Sequence, residues 1–210
     1  MIVRLSLLAA CAVLAVSPAF AKDKSGAKPE QVACAGVYGA DSSEALLIET
    51  FGKDNVVTGT IYGPEGIEML GTTVFPNDPD RKMEFVWWNE AELTDLSFVD
   101  LAPSQTGPAG VRIGQTVAEV VALNGEPFVI GGFWWDYGGY ANIESGNLAG
   151  QQGDCYVSIR FSPADEYPET LDITPVAGEV QVPSDEPLLE TLDVRVEVVS
   201  ISYPGVEGDE

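Results

Sequence analysis

Thr116-Val117-Ala118-Glu119-Val120-Val121-Ala122-Leu123-Asn124-Gly125-Glu126-Pro127 carries both ends of a short helix in its own letters. Thr116 and Glu119 have the spacing of a capping box, in which the hydroxyl accepts from the third helical N–H and the carboxylate reaches back to the N-cap's own N–H. Val117, Val120 and Val121 share one face, and Gly125 followed by Pro127 stops the helix. Earlier, Asp41-Ser42-Ser43-Glu44 fits the same logic with Asp41 as N-cap and Glu44 at the third helical position. Leu47, Ile48 and Phe51 then form one face, and Gly52 ends the helix. Neither helix exceeds about three turns, so tertiary packing has to hold both.

Strand patterns follow each helix. Val56 to Tyr62 is a strand, and a Gly-Pro-Glu-Gly turn over Gly63 to Gly66 leads into a partner strand at Ile67 to Phe75. A turn at Pro76 to Asp80 then precedes a third strand, Met83 to Trp88. After the second helix, Phe128 to Tyr137 reads as a strand and Gly138-Gly139 as a turn. In Cys155 to Phe161, Val157, Ile159 and Phe161 oppose Tyr156, Ser158 and Arg160. Leu192 to Tyr203 is a closing strand, with Leu192, Val194, Val196, Val198 and Ser200 on one face. Gly52 and Gly125 lie 73 residues apart, and the same shift lays Phe85 to Trp88 on Ser158 to Phe161. The expected fold is α+β: two tandem units, each a short helix on an antiparallel meander, at 34–109 and 110–203. A single β-rich sandwich carrying two short helices is the alternative.

The ends add the compartment. Arg4 followed by the apolar run Leu5 to Val16, then Pro18 and Ala19-Phe20-Ala21, has the form of a signal peptide (1–21) cleaved after Ala21. The run is too short for a bilayer anchor, so membrane insertion is not expected. Leu8-Ala9-Ala10-Cys11 offers a second reading, a lipoprotein acylated at Cys11. Residues 22–33 are a polar, flexible leader, and 204–210 an acidic, disordered tail. Cleavage leaves 189 of the 210 residues, with Cys34 and Cys155 as the two cysteines. In an exported protein these form a disulfide, in the chain-entropy account worth somewhat over ~4 kcal/mol for so long a loop; two buried free thiols are the other possibility.

Charge and composition then exclude several functions. The chain carries 10 basic and 33 acidic residues, and loss of Arg4 with the signal leaves a net charge of −24. Such a surface repels nucleic acid. The sequence contains no His, which rules out His-based triads and His-ligated zinc. G-x-S-x-G, a phosphate loop and a dinucleotide fingerprint are also missing, so no catalytic residue, cofactor or metal is assigned. Asn77, Asp78 and Asp80 lack the spacing of an EF-hand. Asp95 and Asp100, flanking Leu96 to Val99, are the pair a carboxylate hydrolase would require. Phe133-Trp134-Trp135-Asp136-Tyr137-Gly138-Gly139-Tyr140 holds the densest aromatic cluster. Read as a strand, it turns Trp134 and Asp136 to one face, with Tyr140 and Asn142 close by. These four residues form the candidate ligand or partner site.

The second unit, from Val111-Arg112-Ile113-Gly114-Gln115-Thr116 through Ala118-Glu119-Val120 to Leu123-Asn124-Gly125-Glu126-Pro127, resembles small exported helix-on-sheet modules. These are the units of beta-lactamase inhibitory protein and of outer-membrane assembly lipoproteins. Leu123 to Gly139 also looks like a block from uncharacterised secreted bacterial proteins. The first resemblance covers roughly seventeen residues and implies non-catalytic binding to an envelope or secreted protein. A carbohydrate or peptidoglycan binder is the alternative, and a carboxylate-based hydrolase the second.

Overall fold

The computed structural model describes residues 30–63 and 66–205. The segment expected to be a signal peptide, the start of the expected leader and the end of the expected acidic tail lie outside them. Three short helices, α1 (Glu44–Phe51), α2 (Val117–Asn124) and α3 (Pro187–Thr191), accompany twelve short strands among the described residues. The main sheet is antiparallel and has seven strands. Its order is β2 (Val56–Tyr62), β3 (Glu68–Val74), β4 (Met83–Asn89), β5 (Thr94–Asp100), β12 (Arg195–Ser202), β10 (Cys155–Ser162), β9 (Gln151–Gln152). A second sheet joins β11 (Gln181–Pro183), β7 (Val129–Gly131) and β8 (Ala141–Asn142), and β1 (Glu30–Gln31) pairs in parallel with β6 (Gln105–Thr106). The fold is α+β with a sandwich-like arrangement of sheets.

Period-two alternation sorts the main sheet into two faces. On one, Phe85, Val99 and Ile201 occupy a single row across β4, β5 and β12 and are fully buried. Burying one such side chain contributes about 1.5–3 kcal/mol. Leu47 of α1, Val117 and Val120 of α2, Leu189 of α3, and Ile130 and Val182 of the small sheet join the same core cluster. All the helices and the second sheet therefore pack on this face. The cluster and the main sheet both run across residues 109 and 110, so the two halves share one core.

Several local expectations are corrected. The N-cap of α1 is Ser43, whose hydroxyl accepts from Leu46 N–H, and not Asp41; Glu44 opens the helix instead of sitting at its third position. Backbone bonding explains the delay, because Ser42 N–H donates to Gly39 and Ser42 C=O accepts from Asp95, keeping Ser42 outside the helix. The box at Thr116 and Glu119 forms as expected, and Gly125 caps α2 with φ 78°. The leader is ordered by Glu30, where β1 begins, and Val32 is buried. After α2 the chain runs first into the small sheet, where β7 pairs with β8 and β11, in contrast to the meander β2 to β5. Leu192 and Asp193 close the turn after α3, so the last strand starts later than expected. Within it, Arg160 faces Val198 while Phe161 faces Val196, which leaves Glu197 as a bulge. The bulge moves the buried set from Val194 and Val196 to Val199 and Ile201, and puts Val198 and Ser200 on the other face.

Cys34 and Cys155 are disulfide-bonded across 121 residues of sequence. Cys155 is fully buried at the start of β10, so the bond ties the N-terminal segment to the core.

Candidate functional site

Among the described residues no helix and no second sheet packs on the other face of the main sheet. Cross-strand neighbours share a face, and the register therefore places Glu84, Asp100, Ser200 and Ser158 in one row across β4, β5, β12 and β10. The next row holds Val86, Phe98, Ser202 and Tyr156. From these rows Glu84, Asp100, Ser200, Ser158, Phe98 and Ser202 floor a cleft of about 680 Å³. The tip of the β2–β3 hairpin, with Ile61, Tyr62 and Met69, walls one side, and Trp135, Asp136 and Tyr140 wall the other.

The second wall is a tight loop, not the extended strand expected over Phe128 to Tyr137. The strand β7 ends at Gly131, and beyond it Phe133 makes an isolated bridge to Ala177. Gly139 N–H donates to Gly131 C=O, and Gly131 N–H to Tyr140 C=O, so the chain doubles back on itself. Trp134 takes φ 61°, which breaks any alternation of side chains. The loop is latched to β10: Phe161 N–H donates to Gly139 C=O at 2.8 Å, and Arg160 Nε donates to Gly138 C=O at 3.1 Å. Gly139 has φ 83°, and a Cβ there would stand 2.1 Å from the Phe161 carbonyl oxygen. Only glycine permits that approach. The Trp135 indole donates to Gly132 C=O at 2.8 Å, which fixes its ring in the wall.

The candidate residues separate accordingly. Asp136 and Tyr140 line the main cleft, and Tyr140 has the Arg160 guanidinium 5.7 Å from its ring centroid. Trp134 faces a smaller neighbouring cleft of about 380 Å³, against Tyr167, with Arg160 bordering both. Asn142 lies on β8 outside both clefts and donates to Glu144. Trp135, which the strand reading sets on the face opposite Trp134 and Asp136, is instead part of the same cleft wall as Asp136. Ser158, Arg160, Ser200 and Phe98 were not anticipated, and Asp100 was read only as the partner of Asp95. The polar halves of the alternating strands were the available signal, although β5 went unrecognised and the bulge shifted the phase of β12.

Asp100 is the most perturbed group in the cleft. Burial raises its pKa above the ordinary aspartate value and the neighbouring Glu84 adds to this. The Ser200 hydroxyl, donating at 2.5 Å, and Lys82 oppose the rise. Glu84 is itself paired to Lys82 at 2.9 Å. The carboxylate beside Asp100 is thus Glu84; Asp95, exposed at the far end of β5 and accepting from Thr94, takes no part in the cleft. In the turn before β4, Asp78 accepts from the Asp80 backbone N–H at 3.2 Å. Among the described residues no three carboxylates or thiols converge as a metal centre would need.

Large apolar side chains left exposed gather on this face. Val57, Trp88 and Tyr156 belong to its strands, and Tyr62 (71% exposed) and Tyr140 (37%) rim the cleft. No family model, curated protein or solved structure matches the chain.

Proposed function

We propose that the protein is a non-catalytic binding module that receives a projecting segment of a protein partner in the cleft on its uncovered sheet face. The observation that carries the reading is the unequal coverage of the sheet. Every helix and the second sheet pack on one face, while exposed aromatic residues and a walled cleft occupy the other. Contiguous exposed apolar surface with a polar rim marks protein docking sites, and aromatic residues supply most of their binding energy. The floor of hydroxyls, Asp100 and Arg160 gives hydrogen-bonding specificity within that apolar frame. Export to the periplasm or the exterior after Ala21 fits the disulfide, which persists in oxidising compartments. The resemblance to exported inhibitory and assembly modules points the same way.

The test pairs the wild type with a Tyr62→Ala, Tyr140→Ala double variant in retention from envelope extract, with retained proteins identified by mass spectrometry. The expected result is one partner held by the wild type and lost by the variant, with the melting temperature unchanged. Retention unaffected by the variant rejects the cleft as the docking surface. A glycan that quenches tryptophan fluorescence, with no protein retained, replaces this reading by the carbohydrate one, for which Trp135 and Tyr140 would be the stacking pair.

A further inference from the structure

The two edges of the main sheet are treated differently. At the β10 side, the two-residue β9 covers Cys155 and Tyr156, and the loop through Gly139 and Tyr140 covers Arg160 and Phe161. At the other side β2 is the last strand, and no strand pairs beyond it among the described residues. Its seven residues, Val56-Val57-Thr58-Gly59-Thr60-Ile61-Tyr62, contain no charge and no proline. Its register with β3 runs without a bulge from Val56·Val74 to Tyr62·Glu68. Natural sheets guard long edges with lysine, proline, bulges or covering loops. Among the described residues none of these devices is present.

The free backbone groups can be assigned. Gly63 N–H donates to Ile67 C=O and Phe75 N–H to Asn55 C=O. Odd-numbered residues of β2 are therefore the hydrogen-bonded partners of β3, and the even-numbered ones point off the edge. Val56 N–H is taken by Lys53 C=O, which leaves the N–H of Thr58, Thr60 and Tyr62 and the C=O of Val56, Thr58, Thr60 and Tyr62. An added strand would find three donors and four acceptors in register.

Charge selects the occupant. From Ser43 to Val74, the helix and hairpin that build this edge, the chain has five carboxylates and one cation, Lys53. Glu44 stands beside the middle of the strand and accepts from the Thr58 hydroxyl, and Glu68 lies opposite Tyr62. A second copy fits poorly. The two-fold register about Gly59 sets both Glu44 side chains on the same face of the joined sheet, in chains that each carry −23. We propose that β2 is a second docking edge, which takes an extended lysine- or arginine-bearing segment of a partner protein as an eighth strand. The inference rests on the edge alone and stands or falls separately from the cleft.

The test is amide hydrogen exchange on the disulfide-bonded full chain, titrated with the peptide Val-Lys-Val-Lys-Val-Lys-Val and, separately, with its glutamate counterpart. The lysine peptide is expected to slow exchange at Thr58 and Thr60 by about tenfold or more. Val57, Gly59 and Ile61, already bonded to β3, change little, and the glutamate peptide has no effect. Thr60→Pro, which removes an outward N–H without touching β3, abolishes the response while the melting temperature holds. Thr60→Arg does the same by repulsion and serves if the proline variant fails to fold. Unchanged exchange at Thr58 and Thr60 with the lysine peptide overturns the proposal. So does slow exchange there before any peptide is added: if it depends on protein concentration, a second copy holds the edge, and if not, another part of the chain does.

Discussion

The same four strands, β4, β5, β12 and β10, present two faces that differ in every respect except their backbone. On one, Phe85, Val99 and Ile201 are wholly buried; on the other, Glu84, Asp100, Ser200 and Ser158 floor an open cleft. Alternation at period two lets a single strand hold the fold with one set of residues and offer chemistry with the next. The difference teaches where substitutions will be felt as lost stability and where as lost binding.

Phe85→Ala against Phe98→Ala is the strongest way to break the comparison. The first opens a cavity in the core and is expected to cost about 3–5 kcal/mol in denaturant unfolding. The second removes a partly exposed cleft residue and is expected to cost about 1 kcal/mol. Equal losses would mean that the open face is covered and the distinction false. Gly139→Ala tests the latch between the cleft wall and β10. A Cβ in contact with the Phe161 carbonyl, at a positive φ, is expected to cost about 1–3 kcal/mol and to weaken partner binding more than Tyr140→Ala does. Calorimetry and retention assays read the two effects.

Asp100→Asn sharpens the comparison most finely. The folded state raises the Asp100 pKa, so it favours the protonated form; that contribution is complete below the unfolded value of about 3.8 and is lost as pH rises through the folded value. The Asn variant is therefore expected to melt higher than wild type near neutral pH, and the gain should vanish as pH falls into the ordinary aspartate range. A gain that does not depend on pH would show that the charge of Asp100 is not what the cleft opposes.

Most of the fold was legible because it is written in local signals. The capping box at Thr116, the stop at Gly125 and the strands at Val56 to Tyr62, Met83 to Trp88 and Cys155 to Phe161 all appear where patterning puts them. The cleft was legible only in part. Asp136 and Tyr140 were reachable from the aromatic block, but its conformation depends on a left-handed Trp134 and on the Gly139 contact, which are properties of the fold and leave no period in the sequence. The floor was hidden by Glu197. One bulged residue reverses which side of β12 meets the core, so Ser200 could be assigned to a face only once its partner strand was known.

The position of β12 has a consequence for the order in which the molecule can be completed. Among the described residues it is the last strand in chain order, yet it sits between β5 and β10 and joins the meander to the later strands of the main sheet. A chain delivered from its N-terminus can pair β2 through β5 early, but the cleft floor has no Ser200 and no fixed distance between its two walls until residues 195–202 arrive. Formation of the cleft floor is thus tied to the arrival of residues 195–202, and a chain cut short before Arg195 would carry both walls without β12 to hold them opposite each other.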